Sequence, residues 1–195
     1  IITGGPGTGK TTIIKAILEI CNILKFSCVL AAPTGRAAQR MFESSGKEAK
    51  TIHRLLEASV SEGGFHHFSR DEDNPINNKV IIIDEMSMVD TNLMCALLKA
   101  VKTGSYLILI GDPDQLPPVG PGNCLNDIIN SQRFNVTKLD KIFRQAEQSL
   151  IVTNAHAVNR GEMPVLNARD NDFFFVEKHN PADILGLLLS FVAER

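Results

Sequence analysis

An α/β fold, a parallel β-sheet between layers of helices, is predicted by three features of the 195-residue sequence. Short apolar runs rich in β-branched residues alternate with helical patterns. The runs are continuously apolar, as strands covered on both faces are. A glycine-rich segment joins the first run to the first helical pattern. Strands are expected over residues 1–3, 28–31, 80–84, 106–110, 134–139 and 173–176, each a short run bounded by polar or turn-forming residues. The first helix starts at Gly9 or Lys10 and sets Ile13, Ile14, Ile17, Leu18 and Cys21 on one face. Asp90 is an N-cap ahead of Leu93, Ala96, Leu97 and Ala100 at helical spacing. A third helix runs from Ser149 to Arg160 and stops at Gly161. The last has Asn180 as cap and Pro181 at its first position, before Ile184, Leu185, Leu188, Leu189 and Val192. The turn-rich stretch about 59–79 reads as a surface excursion, and its His66–His67 pair lacks further ligands at metal spacing.

The length and a 44% hydrophobic content suffice for one compact domain over 1–195. A net charge of −2 provides no global basic field, so any nucleic acid must be held by a local patch. Cys21, Cys28, Cys95 and Cys124 form no CxxC pair and read as reduced, buried thiols of a cytoplasmic protein. No apolar stretch reaches the roughly 18–20 residues that cross a bilayer, and no charged segment precedes a cleavable apolar one in this sequence, so no membrane partner is expected. A chain that opens on Ile1, already in a strand, is expected to be a piece of a longer one.

GGPGTGKTT, residues 4–12, follows a strand and opens a helix, the context in which GxxxxGK(S/T) is a phosphate site, or P-loop, rather than a string match. Gly5, Pro6, Gly7, Thr8 and Gly9 curl the backbone so that N–H groups point inward, and the helix N-terminus adds its dipole. Lys10 neutralises the β and γ oxygens of ATP, Thr11 offers a hydroxyl to Mg²⁺, and Thr12 completes the cradle. The bland alternative is a glycine-rich turn with no ligand. VIIIDEMSMVD places Asp84 at the end of an apolar strand as the second magnesium anchor. Glu85, next to it, is the base that positions or activates water; ordinary surface acids are the alternative for both.

The ordered set GGPGTGKTT, APTGRAAQRM, TIHRLL, IIIDEMSMVD, LILIGDPDQLPPVGPG and FRQAEQSLIVTNAHAVNRGEMP resembles the first motor domain of superfamily 1 DNA helicases, most closely the RecD-like exonuclease V alpha-chain group. The match covers about residues 1–165. The resemblance implies a P-loop NTPase with a RecA-like sheet in which the strand before GDPDQ lies between the phosphate-loop strand and the Asp84 strand. Gln115 then senses the γ-phosphate or the attacking water, since an amide both donates and accepts. Arg144 of FRQ matches the family's motif IV arginine at the γ-phosphate; from FRQ alone it is a surface arginine. APTGRAAQRM and TIHRLL match motifs along single-stranded DNA, which assigns Pro33, Thr34, Arg36, Thr51 and His53 to nucleic acid; Pro117 joins them from the loop after GDPDQ, where Leu116 to Gly120 lead towards the DNA face. The residues themselves supply a basic run, Arg36, Arg40, Lys47, Lys50 and Arg54, interrupted by Glu43 and Glu48, with a solvated helix face as the alternative. Phe42, Phe65 and Phe68 could stack on bases, though Phe42 reads better as core.

The family's motor has a second RecA-like domain, and nothing after Pro164 matches its motifs. The piece is therefore expected to bind nucleotide weakly and not to unwind DNA alone, because translocation needs two domains closing around ATP. The resemblance implies an ATP-driven, 5′-to-3′ DNA helicase-translocase in recombination or repair, with that second domain and other exonuclease V subunits as partners. A small-molecule or nucleoside kinase on the same loop, and a nucleotide-regulated module of AAA+ or relaxase-helicase type, are the competing readings.

Overall fold

The computed structural model describes residues 1–60, 66–141, 148–166 and 171–193. Where the sequence predicts one domain, the chain divides into two compact units, Ile1–Phe143 and Arg144–Arg195.

In the first unit the chain runs β1 (Ile2–Gly4), α1 (Lys10–Ile23), β2 (Cys28–Ala32), α2 (Gly35–Ser45), β3 (Ala49–Thr51), α3 (Ile52–Leu55), β4 (Ala58–Val60) and β5 (His66–Phe68). It continues through β6 (Val80–Ile83), a 3₁₀ turn (Met86–Met88), α4 (Thr91–Ala100), β7 (Tyr106–Gly111), α5 (Cys124–Asn130) and β8 (Thr137–Leu139). Six strands form one sheet in the order β3-β2-β6-β7-β1-β8. Every pairing in it is parallel. β7 therefore lies between β1 and β6, as the resemblance implies.

The continuous apolar runs are explained by cover on both faces. In β6, Val80 and Ile82 join α1 and α2 in one core cluster, with Ile14, Leu18, Ala38 and Met41. Ile81 and Ile83 join the other, with Leu56, Leu93, Leu97 and Leu125. Strand side chains alternate between faces, so a strand with two buried faces has no position for a polar residue. The expected Asp90 cap forms, its Oδ1 accepting from the Leu93 N–H at 2.8 Å, and α1 starts at Lys10 after Gly9 (φ 88°). β1 also fixes Gly4: a Cβ there would lie 3.0 Å from the Leu139 backbone oxygen and 2.5 Å from Thr8 Oγ1.

Several expectations are corrected. The run 134–139 pairs only over Thr137–Leu139, where β1 provides partners. β3, a polar three-residue strand (AKT), has no apolar run to announce it; it pairs at the sheet edge, where a lysine is tolerated. The stretch 59–79 is not wholly a surface excursion. β4 and β5 pair antiparallel, a 2.7 Å Glu57–Arg70 ion pair closes the base, and buried Ile76 donates its N–H to the Ala100 carbonyl oxygen at 2.8 Å. Phe42 is 45% exposed rather than core, because the buried stripe of α2 runs through Ala38 and Met41, one position round the helix. Cys21 and Cys28 are buried, but Cys95 is exposed and Cys124 half-buried.

The second unit contains α6 (Leu150–Asn159) and α7 (Pro181–Ala193). Ser149 caps α6 by accepting from the Val152 N–H, and Asp172 accepts from the Ser149 hydroxyl and the Leu150 N–H. Buried Asn154 clamps the following loop, accepting from the Val165 N–H at 2.8 Å and donating to its carbonyl at 3.0 Å. Asn180 Oδ1 accepts from the Ala182 N–H, the cap that its sequence announces. Residues 173–176 form no strand: the described elements of this unit are helices, and an apolar run becomes a strand only beside a partner edge. Among the described residues, no helix is long and apolar enough to cross a membrane.

Candidate nucleotide site and groove

The C-terminal ends of β1, β6 and β7 open on one edge of the sheet, the side on which parallel α/β sheets bind ligands. From β1 the chain enters the glycine-rich loop. Gly7 (φ 74°) and Gly9 (φ 88°) take left-handed backbone that a side chain would strain, and Thr8 Oγ1 donates to the Gly5 carbonyl at 2.9 Å, holding the loop curled. Gly5, Gly7, Thr8, Gly9, Lys10 and Thr11 line a cavity of about 290 Å³. Lys10 Nζ donates to the Gly4 and Gly5 carbonyls at 2.5 and 3.0 Å, so the ammonium is held at the loop. Pro6 lies within the loop, and Thr12 is exposed in the first turn of α1.

Thr11, Asp84 and Glu85 line a second cavity of about 450 Å³ together with Arg40 and Glu43 of α2. Asp84 Oδ1 accepts from the Glu85 N–H at 2.8 Å, and no hydrogen bond to its other oxygen occurs among the described residues. A hydroxyl and a carboxylate oxygen are hard donors that suit Mg²⁺, which keeps several waters and phosphate oxygens and needs one or two protein ligands. The residues thus fit that ion. Among the described residues, no cluster of three or more His, Cys, Asp or Glu side chains could hold a metal. Glu85 has φ 56°, left-handed backbone costing a non-glycine residue on the order of 1 kcal/mol, and so turns off the strand into the 3₁₀ turn.

Burial raises the Asp84 carboxyl above its usual range, against the Glu85 N–H bond and the nearby Lys10 charge, which lower it. Glu85 is raised by burial and by the Asp84 carboxylate, opposed by Lys10 and Arg40. A carboxyl with a raised folded pKa contributes stability below its unfolded value, near 3.9 for Asp, and loses it as pH rises through the folded value. At neutral pH the half-buried Asp84 charge therefore destabilises the ligand-free fold. Asp84→Asn, which keeps an oxygen for the Glu85 N–H, is expected to raise Tm at pH 7 without magnesium. That gain should shrink as pH falls towards the ordinary carboxylate range; thermal melts across pH check it, and a lower Tm at pH 7 would contradict it.

Gln115 follows β7. Its Oε1 accepts from the Ser87 hydroxyl at 3.1 Å, which ties the loop after β7 to the turn after Asp84 and Glu85. Gln115 also lines a cavity of about 910 Å³ with Pro33, Thr34, His53 and Pro117. Phe68, Met88, Leu116 and Val119 make its walls apolar. The His53 and Phe68 rings sit 5.9 Å apart, and Leu116 is 86% exposed. The loop is held stiffly: the Thr91 N–H donates to the Pro121 carbonyl at 2.9 Å, and a Cβ on Gly120 would run into the Asp90 carboxylate.

Four of the six nucleic-acid candidates, Pro33, Thr34, His53 and Pro117, thus share one groove, whereas Arg36 and Thr51 are not among its lining. Thr34 and Thr51 hydroxyl oxygens also act as caps, accepting from the Ala37 and Arg54 N–H groups. Arg144 lies outside the described residues. Sequence reasoning missed Ser87 and Met88, and it placed Arg40 with the basic run rather than in the cavity of Glu85. The hydroxyl and apolar residues were visible within the motifs, but their convergence depends on the 3₁₀ turn and on the clamp to α4.

An AAA-domain family profile matches residues 1–121. The chain is 41% identical over 164 residues to the ATP-dependent RecD2 DNA helicase of Deinococcus radiodurans, covering 84% of this chain and 22% of that protein. It is 34% identical over 221 residues to the RecBCD enzyme subunit RecD of Mycobacterium tuberculosis, covering 97% of this chain and 37% of the relative. The chain thus spans about a fifth to two fifths of these relatives. Among solved structures, Bacteroides Pif1 bound to single-stranded DNA superposes with a TM-score of 0.58 at 20% identity, over 97% of this chain and 51% of Pif1, a likeness of fold. With the phosphate loop after β1, the acidic pair after β6 and β7 between them, the chain belongs to the AAA-domain family and is similar, over this part, to the RecD helicases.

Proposed function

We propose that the chain is the ATP-binding and ATP-hydrolysing motor part of a 5′-to-3′ DNA helicase-translocase acting in the cytoplasm in recombination or repair. Gln115 carries this reading: one side chain bonds Ser87 behind the acidic pair and also lines the groove, a direct route between nucleotide and track. ATP would lie on the glycine loop with its phosphates at Lys10, and Thr11 and Asp84 would hold Mg²⁺, which offsets phosphate charge. Glu85 would orient the attacking water. Pro33, Thr34, His53 and Pro117 would hold single-stranded DNA, with Arg36 and Thr51 at its margin, where apolar and aromatic walls favour base stacking over sequence readout. Arg144 would add a guanidinium at the γ-phosphate. A second RecA-like domain of the same protein would complete the site across the cleft. A RecBCD-type assembly is the corresponding partner set, by analogy with the relative of that name.

ATPase assays on the full-length protein test this. Single-stranded DNA should stimulate turnover; stimulation only by a small phosphoryl acceptor would establish the kinase reading instead. Gln115→Ala is expected to spare nucleotide binding and to lower DNA-stimulated turnover by about 10²-fold, the cost of losing one positioned polar group at a reacting centre. Normal turnover by this variant would remove the assigned role.

A further inference from the structure

The basic run of the sequence is split by the fold. α2 starts at the groove, where Pro33 and its N-cap Thr34 line the wall, and six residues on, about 9 Å along the axis, it presents Arg40 to the cavity of Thr11, Asp84 and Glu85. Ala37, Arg40, Met41 and Ser44 mark this face at helical spacing. Glu43, the other charged group that α2 brings to the cavity, accepts from Gln39 Nε2 at 2.9 Å. Among the described residues, no hydrogen bond or ion pair engages Arg40 or the Glu85 carboxylate. Arg40 is therefore the basic side chain of α2 that faces the acidic pair, and one rigid helix connects it to the groove wall.

Resting on the motor reading above, we propose that Arg40 is a positioning residue for Glu85, and that α2 makes this positioning respond to DNA in the groove. A strand pressing on Pro33 and Thr34 displaces the helix as a unit, since an eleven-residue helix packed through Ala38 and Met41 does not bend locally. The guanidinium moves with it. Held beside Glu85, it orients the carboxylate towards the water without itself touching the nucleotide.

The test uses the full-length protein, measuring ATP turnover at saturating single-stranded DNA together with ATP and DNA affinities. Arg40→Ala is expected to lower kcat at saturating DNA about tenfold, the effect of an ordinary coupling between neighbouring groups, and to leave KM for ATP and Kd for DNA within about twofold. The ratio of stimulated to unstimulated rate should fall. Arg40→Lys, which keeps the charge and the helix, should recover most of the loss. In a Glu85→Gln background, single-turnover hydrolysis should be no slower with Arg40→Ala added. Loss additive with Glu85→Gln would overturn the proposal. So would weaker DNA binding with a salt slope reduced by about one and normal kcat, which would make Arg40 a phosphate contact. Wild-type protein that DNA does not stimulate would instead remove the motor reading, before any variant is compared.

Discussion

Glu85→Gln in the full-length protein is expected to lower DNA-stimulated ATP hydrolysis by about 10²–10⁴-fold while ATP and DNA still bind, the range spanned by loss of a positioned general base. The geometry sets the direction. Glu85 shares its cavity with Thr11 and Asp84, and its left-handed backbone projects it off the strand end rather than along it. Glutamine keeps the shape and a polar end but cannot take up a proton as the carboxylate does. Removing a half-buried carboxylate that Asp84 repels should also stabilise the ligand-free fold at neutral pH, so loss of turnover with a higher Tm separates chemistry from unfolding. Turnover within tenfold of wild type would assign the water to another group.

Lys10→Ala is expected to weaken ATP binding by about 100-fold, from the loss of charge-assisted bonds worth roughly 1.5–3 kcal/mol. The ammonium already sits at the loop on the Gly4 and Gly5 carbonyls, so little is spent on ordering it when phosphate arrives. The fold should survive, because the loop keeps its curl through Gly7, Gly9 and the Thr8–Gly5 bond. Titration with a fluorescent ATP analogue measures the affinity, and an unchanged Kd would remove the phosphate assignment. The two variants should differ in kind: Lys10→Ala loses affinity for ATP, and Glu85→Gln keeps the affinity and loses turnover.

Local chemistry made much of this readable in advance. Asp90 and Asn180 cap helices because an oxygen one turn ahead of free N–H groups has few other uses. GGPGTGKTT curls because its glycines alone accept the backbone it needs. The weak points were residues whose partners are distant in sequence. β3 is a strand because β2 offers it an edge, and residues 173–176 are not, for want of one. Phe42 failed as a core residue over one step of helix rotation, which a short stretch of sequence does not resolve.

Periodicity and loop chemistry were enough to identify an α/β sheet, a phosphate loop and an acidic pair, since these depend on backbone preferences and burial within a few residues. The bond from Ser87 to Gln115, the groove shared by Pro33, His53 and Pro117, and the turn of Arg40 towards Glu85 belong to the packed chain. Each joins residues brought together by strand order: β7 must insert between β1 and β6 before Gln115 can meet Ser87, and that insertion is settled by long-range pairing and core packing rather than by local preference.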